Sequence, residues 1–185
     1  LCIAISASER RVCIDDGWAF RLGNIVEAVQ ADYDDTDWRR LCVPHDWSVE
    51  QDAAMMHISA RVGPFVKDAI GTHQTGCTVG GEGWYRRHIA LTKEELKGAV
   101  ALYFEGVYNQ RRVYVNGREV GFNPYGYQGF CYDITRECHA GDNVIAVQAL
   151  NVGNNTRWYA GSGIFRHVWL VRTPPNHLVA WDTYT

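Results

Sequence analysis

Residues 99–121 read AVALYFEGVYNQRRVYVNGREVG, and this stretch decides the fold. Its first part, Ala99–Phe104, is a short apolar run that favours a strand buried on both faces. Further along, Asn116-Gly117 supplies two residues that accept the positive φ angles of a type I′ turn. The turn joins a strand at Arg112–Val115 to a return strand beginning at Val120-Gly121. This arrangement predicts a β-hairpin.

Strand signals of the same kind continue on both sides of this hairpin. The first predicted strand lies within residues 11–20, and the later ones are Trp84–Leu91, Asn143–Leu150 and Ile164–Arg172. Between them, Thr92 and Glu95 have the spacing of a capping box, which predicts one helical turn over residues 92–97. Recurrent short strands without long helical periodicity predict an all-β sandwich or barrel.

Two segments between the predicted strands carry less regular patterns. Asp34–Asp37 is polar and rich in turn-forming residues, and it predicts a turn that holds the Trp38 ring against the sandwich. Residues 48–83 show no clear period, and a loop of this length is either functional or an insertion that crosses the surface. We expect this second segment to be the most mobile part of the chain.

The composition excludes several classes of protein. The chain has 185 residues, of which 46% are hydrophobic, and a formal net charge of -3, which fits one globular domain. Lys and Arg do not cluster as phosphate-backbone binding requires, so no nucleic-acid partner is expected. No apolar stretch approaches the ~20 residues that cross a bilayer, so no membrane partner is expected.

The apolar start, Leu1–Ser8, favours a first strand over the trimmed end of a signal region. The compartment, cytoplasmic or exported, stays open.

The six cysteines and seven histidines do not form a recognisable ligand pattern. No cysteine pair has CxxC spacing, and the neighbouring Cys131, Cys138 and His139 fit no standard zinc arrangement. A domain of this size does not need disulfides, which favours buried free thiols. The sequence therefore predicts no metal site in this chain, and no cofactor is expected.

A series of short motifs follows the predicted strands in a fixed order. The most specific is Arg157–Arg166, which reads RWYAGSGIFR. The others are Val43–Trp47, Gly83–Arg87, Phe104–Val107, Val113–Gly117, Val120-Gly121, Tyr125–Tyr127, Asp133–Thr135 and Gly141–Asn143. In order and spacing this series resembles the sugar-binding N-terminal domain of glycoside hydrolase family 2. The resemblance implies a jelly-roll β-sandwich of the galactose-binding-domain-like type.

The resemblance also implies how the chain is organised. Residues 1–173 form the sandwich, and Pro174-Pro175 marks its edge. Residues 174–185 then form a linker and the start of a following immunoglobulin-like domain, after which the family carries a (β/α)8 barrel. These downstream domains are the expected partners, together with a β-glycoside or oligosaccharide substrate.

The reaction of the family is retaining glycoside hydrolysis, which needs two carboxylates ~5–5.5 Å apart. The resemblance assigns both to glutamates of the barrel. The adjacent acids of this chain, Asp15-Asp16, Asp34-Asp35 and Glu94-Glu95, are interpreted as solvated surface groups. We therefore predict a non-catalytic domain that lines the sugar subsite of a β-galactosidase, braces its barrel and is inactive alone. The alternatives are a β-glucuronidase or β-mannosidase domain, a stand-alone carbohydrate-binding module, and a structural spacer.

The candidate substrate-binding residues come from two motifs of the resemblance. Asp46 falls where β-galactosidases carry an Asn or Asp that bonds sugar hydroxyls, and its alternative role is to cap the turn after Pro44. The second group, in the segment that reaches towards the active site, consists of Asn155, Arg157, Trp158 and Tyr159. For the last three of these, packing against the barrel or at the sandwich edge and a structural ion pair are the alternatives.

Overall fold

The computed structural model describes residues 11–50, 61–62, 65–66, 69, 77–152 and 161–176. These residues form twelve strands: β1 Arg11–Cys13, β2 Trp18–Leu22, β3 Arg39–Leu41, β4 Arg61–Val62, β5 Phe65–Val66, β6 Gly81–Leu91, β7 Ala99–Phe104, β8 Arg111–Val115, β9 Arg118–Asn123, β10 Phe130–Asp133, β11 Gly141–Asn151 and β12 Val168–Thr173. Short 3-10 helices span Val26–Val29, Trp47–Val49 and Glu95–Lys97. None of the helices in these ranges is long and apolar enough to cross a membrane.

Two antiparallel sheets form the body of the molecule. One has four strands in the order β1-β12-β7-β10, and the other has six in the order β3-β2-β6-β11-β8-β9. Side chains of both sheets meet in one continuous core, in which Leu102 and Phe104 of β7 join Val113 of β8 and Val147 of β11. The strands β4 and β5 form a separate two-stranded ribbon. The predicted all-β jelly-roll sandwich is confirmed.

Strand β7 is buried on one face only, contrary to the prediction. Val100, Leu102 and Phe104 are completely buried, whereas the alternate residues Ala99, Ala101 and Tyr103 are half-exposed. In an antiparallel sandwich each sheet packs one face on the core and turns the other outward. The apolar composition of β7 hides this alternation because its outward positions are also apolar or aromatic.

The predicted local motifs at the two turns are confirmed. Asn116 and Gly117 have φ angles of 49° and 85°, and they join β8 to β9 as the type I′ turn requires. The backbone N–H of Thr92 donates to the Glu95 carboxylate at 2.7 Å, and the backbone N–H of Glu95 donates back to the Thr92 hydroxyl at 3.2 Å. Each motif is local, so the sequence alone contains the information that forms it.

The adjacent acids are not all solvated, which corrects the sequence interpretation. Asp35 is buried and accepts hydrogen bonds from Arg86 Nε at 2.8 Å, from His88 Nε2 at 2.9 Å and from Arg40 at 2.8 Å. Burial raises the pKa of Asp35, but these hydrogen bonds outweigh it and the net pKa is lowered. Glu95 is half-buried against Arg172. Asp15 is also half-buried and hydrogen-bonded, whereas Asp16, Asp34 and Glu94 are exposed.

The turn over Asp34–Asp37 holds Trp38 as predicted. The Trp38 backbone N–H donates to the Asp35 carbonyl at 3.1 Å. Its ring lies in a second, smaller core on the outer face of the six-stranded sheet, beside Trp84 and Ala19. The loop that contains this turn therefore covers part of that sheet.

The expectations for the cysteines and for the strand within residues 11–20 need correction, and two others stay untested. The described cysteines are free, but Cys13, Cys42 and Cys131 are exposed and Cys77 and Cys138 are half-buried, so they do not form part of the deep interior. The predicted first strand within 11–20 is two strands in different sheets. The start at Leu1–Ser8 and most of the segment 48–83 lie outside the described residues.

Candidate functional site

The turn Val43–Trp47 lies at one end of the sandwich and follows strand β3. Val43 is buried, and its backbone N–H donates to the Asp15 carbonyl at 2.8 Å. The Val43–Pro44 peptide bond is cis. Trp47 is almost completely buried, stacks on Phe20 with a centroid separation of 5.7 Å, and donates from Nε1 to the Gly80 carbonyl at 3.2 Å. The turn is therefore fixed to the core at both of its ends.

Asp46 uses its carboxylate to join two separate parts of the chain. Its Oδ1 atom accepts from the backbone N–H of Ser48 at 2.9 Å, and also from the Ser48 hydroxyl. The same oxygen accepts from the backbone N–H of Ser162 at 2.8 Å, a residue 116 positions further along the chain. Asp46 thus caps the 3-10 helix Trp47–Val49, which is the alternative role considered from the sequence, and it also holds the chain at Ser162.

The turn runs alongside residues 162–164 through further backbone hydrogen bonds. The His45 N–H donates to the Ile164 carbonyl at 2.7 Å, and the Trp47 N–H donates to the Ser162 carbonyl at 3.1 Å. At the end of β11, Asn151 donates to the Ser162 hydroxyl at 2.7 Å. Both ends of the segment 153–160 therefore lie beside the Asp46 turn.

Four of the five predicted binding residues belong to that segment. Asn155, Arg157, Trp158 and Tyr159 lie outside the described residues, so their assignment stays a prediction. Asp46 is within the described residues, and its carboxylate contacts Ser162, which follows that segment in the sequence. Its assignment as a binding residue also stays a prediction.

Two glycines, Gly161 and Gly163, lie close to side chains of the neighbouring elements. A Cβ atom on Gly161 would overlap the Asp46 carboxylate, and one on Gly163 would overlap the Tyr85 hydroxyl. Gly163 also has a φ of 118°, a conformation that residues with a side chain rarely adopt. The backbone at this motif can therefore approach the Asp46 turn only because side chains are absent.

A buried network behind Asp46 was missed by the sequence reasoning. His45 Nδ1 lies 2.7 Å from the Tyr85 hydroxyl, and His45 Nε2 lies 2.7 Å from Glu50 Oε1. Glu50 also accepts from Arg39 Nη1 at 3.0 Å. Glu50 falls in the stretch predicted to be an irregular loop, and Tyr85 lies 40 residues from His45 along the chain. Only the spacing of five residues between His45 and Glu50 gave a local signal.

The electrostatics of this network determine the charge states of Glu50 and Tyr85. Burial raises the pKa of Glu50, but hydrogen bonds from His45 and Arg39 outweigh it and lower the pKa to about 2. Burial raises the pKa of the Tyr85 hydroxyl well above its ordinary value. At neutral pH the network therefore contains a carboxylate and a neutral phenol. These two groups hold the His45 ring, and with it the backbone of the Asp46 turn.

The architecture and the site define a jelly-roll β-sandwich domain with a turn that is hydrogen-bonded to residues 162–164. The chain belongs to glycosyl hydrolases family 2: the sequence model of the family's sugar binding domain matches residues 12–174. The membership inferred from the motifs is therefore confirmed.

Individual relatives agree with this membership. A β-galactosidase of Bacteroides ovatus is 38% identical over 169 residues, which cover 90% of this chain and 18% of that protein. A β-glucuronidase of Formosa agariphila is 29% identical over 194 residues, which cover 94% of this chain and 18% of that protein. The crystal structure of a family 2 member from Bacteroides cellulosilyticus superimposes with a TM-score of 0.82 at 40% identity, over 90% of this chain and 21% of that one.

The lengths of these relatives define what the chain represents. The chain spans about one fifth of each, 18% of the curated proteins and 21% of the crystallised one. The chain therefore corresponds to one domain of these larger relatives.

Proposed function

We propose that this chain is the non-catalytic, sugar-site-lining domain of a retaining β-glycosidase that acts on β-galactosides. The observation that carries the proposal is the hydrogen bond from the Ser162 backbone N–H to Asp46, which joins the turn Val43–Trp47 to the residues that follow 153–160 in the sequence. The name of the Bacteroides ovatus relative, a β-galactosidase, supports the substrate class.

The described acids support a non-catalytic role. A retaining glycosidase needs one carboxylate free to attack and a second that exchanges a proton, ~5–5.5 Å away. Here three buried or half-buried acids form structural ion pairs instead. Asp35 pairs with Arg86, Glu50 with His45 and Arg39, and Glu95 with Arg172. We therefore assign the chemistry to the barrel that the family resemblance implies, and expect the 185-residue chain to be inactive alone.

Asp46 contributes to the sugar subsite in two ways in this proposal. Its carboxylate accepts hydrogen bonds from sugar hydroxyls, and its charge strengthens each of them. A substrate without the matching hydroxyl leaves a buried acceptor unpaired, so such contacts also discriminate between sugars. In addition, Asp46 positions the segment that contains Asn155, Arg157, Trp158 and Tyr159, which we propose contact the sugar or the barrel.

The domain organisation is part of the same proposal. We assign residues 1–173 to the sandwich and residues 174–185 to the linker and the start of an immunoglobulin-like domain. This domain and the following (β/α)8 barrel are the proposed intramolecular partners. Strand β12 ends at Thr173, immediately before Pro174-Pro175, which supports this boundary.

A specific observation favours the carbohydrate-binding module as the second candidate. Tyr125 and Tyr127 are 59% and 45% exposed, and their ring centroids lie 5.9 Å apart. Exposed aromatic rings of this kind can stack on the faces of sugars. If this function applies, the 185-residue chain binds a β-galactan without hydrolysing it, and Tyr125→Ala weakens binding more than Asp46→Ala does.

The substrate class is tested by measuring hydrolysis of aryl β-galactoside, β-glucuronide and β-mannoside by the full-length polypeptide, with the 185-residue chain assayed in parallel. Galactoside turnover by the full-length polypeptide alone is the expected result. Preferred turnover of glucuronide or mannoside would overturn the substrate class. Turnover by the 185-residue chain would overturn the non-catalytic role.

A further inference from the structure

A group of three potential metal ligands lies where strands β1 and β12 meet. Strand β1 ends at Cys13, Asp15 follows two residues later, and His167 directly precedes strand β12. Because β1 pairs antiparallel with β12, these residues meet although Asp15 and His167 are 152 positions apart. Among the described residues, one ligand atom from each of Cys13, Asp15 and His167 lies within 4.8 Å of the other two.

The three side chains are already oriented towards one another. Asp15 Oδ1 accepts from the Val168 backbone N–H at 2.8 Å, which fixes the carboxylate, and Asp15 Oδ2 lies 2.6 Å from His167 Nδ1. The Cys13 Sγ atom lies within 4.8 Å of a ligand atom of each of the other two residues. Cys13 and His167 are exposed and Asp15 is half-buried, so an ion can enter from solvent.

We propose that Cys13 Sγ, the Asp15 carboxylate and His167 Nδ1 form a Zn²⁺ site whose fourth position is filled by water. Zn²⁺ takes tetrahedral sets of sulfur, nitrogen and oxygen ligands with bonds of ~2.0–2.3 Å, which places the ligand atoms ~3.5 Å apart. The observed spacing within 4.8 Å reaches this geometry through small side-chain rotations. A thiolate and an imidazole in the set disfavour Mg²⁺ and Ca²⁺, which prefer oxygen ligands.

Zn²⁺ binds the thiolate form of cysteine, so binding at this group releases the Cys13 thiol proton to solvent.

The site would connect three segments that sequence spacing does not relate. It joins the end of β1 to the start of β12, and the Asp15 carbonyl also accepts from Val43, at the base of the Asp46 turn. The sequence prediction of no metal site relied on ligands close together along the chain, a criterion that this group does not meet. An ion that binds only the folded chain stabilises it, so Zn²⁺ is expected to raise the melting temperature.

The test is Zn²⁺ binding by isothermal titration calorimetry to the metal-stripped 185-residue chain under reducing conditions. We expect a site that Cys13→Ser and His167→Gln each weaken by roughly 10- to 100-fold or more. Both residues are exposed, so these variants should keep the fold, which circular dichroism checks. The matched control is Cys131→Ser, which removes another exposed cysteine and should leave the affinity unchanged.

Co²⁺ provides a readout that depends on the ligands themselves. Bound Co²⁺ should give a thiolate-to-cobalt charge-transfer band that is present in Cys131→Ser and lost in Cys13→Ser. The proposal is overturned if Zn²⁺ does not bind. It is also overturned if Cys13→Ser binds Zn²⁺ as tightly as the unmodified chain, or if Co²⁺ gives the same spectrum in both cysteine variants.

Discussion

Two polar networks, one centred on Arg86 and one on Asp46, differ in how deeply they are buried and in what they hold. In the first, Arg86 is completely buried and joins Asp35 to the backbone of the loop over the outer sheet face, donating to the carbonyls of Gln30 at 2.9 Å and Tyr33 at 3.2 Å. In the second, Asp46 is half-buried at the end of the sandwich and holds the chain at Ser162.

The difference lies in what each network holds. The Arg86 network fastens a loop to its own sheet and buries a second small core beneath it, which is a contribution to stability. The Asp46 network joins the turn Val43–Trp47 to Ser162, whose hydroxyl accepts from Asn151 at the end of β11. A buried charge is costly unless it is paired. Networks of this kind persist either where they stabilise the fold or where they position a site.

The largest expected effect on stability is the loss of the first network. Arg86→Met leaves Asp35 without its completely buried cationic partner, and breaking a pair of this kind costs ~3–5 kcal/mol. Urea unfolding of the 185-residue chain should show this decrease in the free energy of unfolding. The control is Arg112→Met, because Arg112 pairs with Glu119 at the surface, and it should cost at most ~1 kcal/mol. Equal effects of the two changes would contradict the structural role of Arg86.

A smaller effect on stability is expected at the second network. Asp46→Ala removes the cap of Trp47–Val49, which typically costs ~0.5–2 kcal/mol. It also releases the Ser162 backbone N–H, so amide hydrogen exchange at Ser162 should become faster than in the unmodified chain. Asp46→Asn retains an acceptor oxygen and should recover part of the protection. Unchanged exchange at Ser162 in Asp46→Ala would contradict the tether.

A third effect appears as a change in the pH dependence of stability. The pKa of Glu50 is about 2 in the folded chain, against an ordinary value of 4.5. Because the folded pKa is the lower one, the stabilisation is complete above about pH 4.5 and is lost as the pH falls towards about 2. In Glu50→Gln this part of the acid dependence should disappear, whereas the exposed control Glu119→Gln should keep it. Parallel acid-unfolding curves for Glu50→Gln and the unmodified chain would rule out this contribution.

The sequence predicted the features that depend on neighbouring residues. The Asn116-Gly117 turn and the Thr92–Glu95 capping box each form within a few residues, so local chemistry determines them. It did not predict the burial of Asp35, because its partner Arg86 is 51 positions away and becomes a neighbour only when the sheet forms. The same reason hid the proximity of Asp15 and His167, which are 152 positions apart.

The candidate site was predicted only in part. Asp46 was identified through the motif Val43–Trp47, and its two considered roles were a bond to sugar hydroxyls and a cap of the turn. Its contact with Ser162, 116 positions away, is a tertiary contact that no local pattern encodes. The support from His45 and Glu50 depends on Tyr85 and Arg39, which come from two different strands.

The most direct test of the central claim is kcat/KM for an aryl β-galactoside, measured on the full-length polypeptide with Asp46→Ala. The matched control is Asp34→Ala, which removes an exposed carboxylate that caps a turn elsewhere, at Thr36. A charged hydrogen bond contributes ~1.5–3 kcal/mol, so Asp46→Ala should lower kcat/KM by roughly 10- to 100-fold while the control changes it little. An unchanged kcat/KM in Asp46→Ala would contradict a sugar-site role for this end of the sandwich.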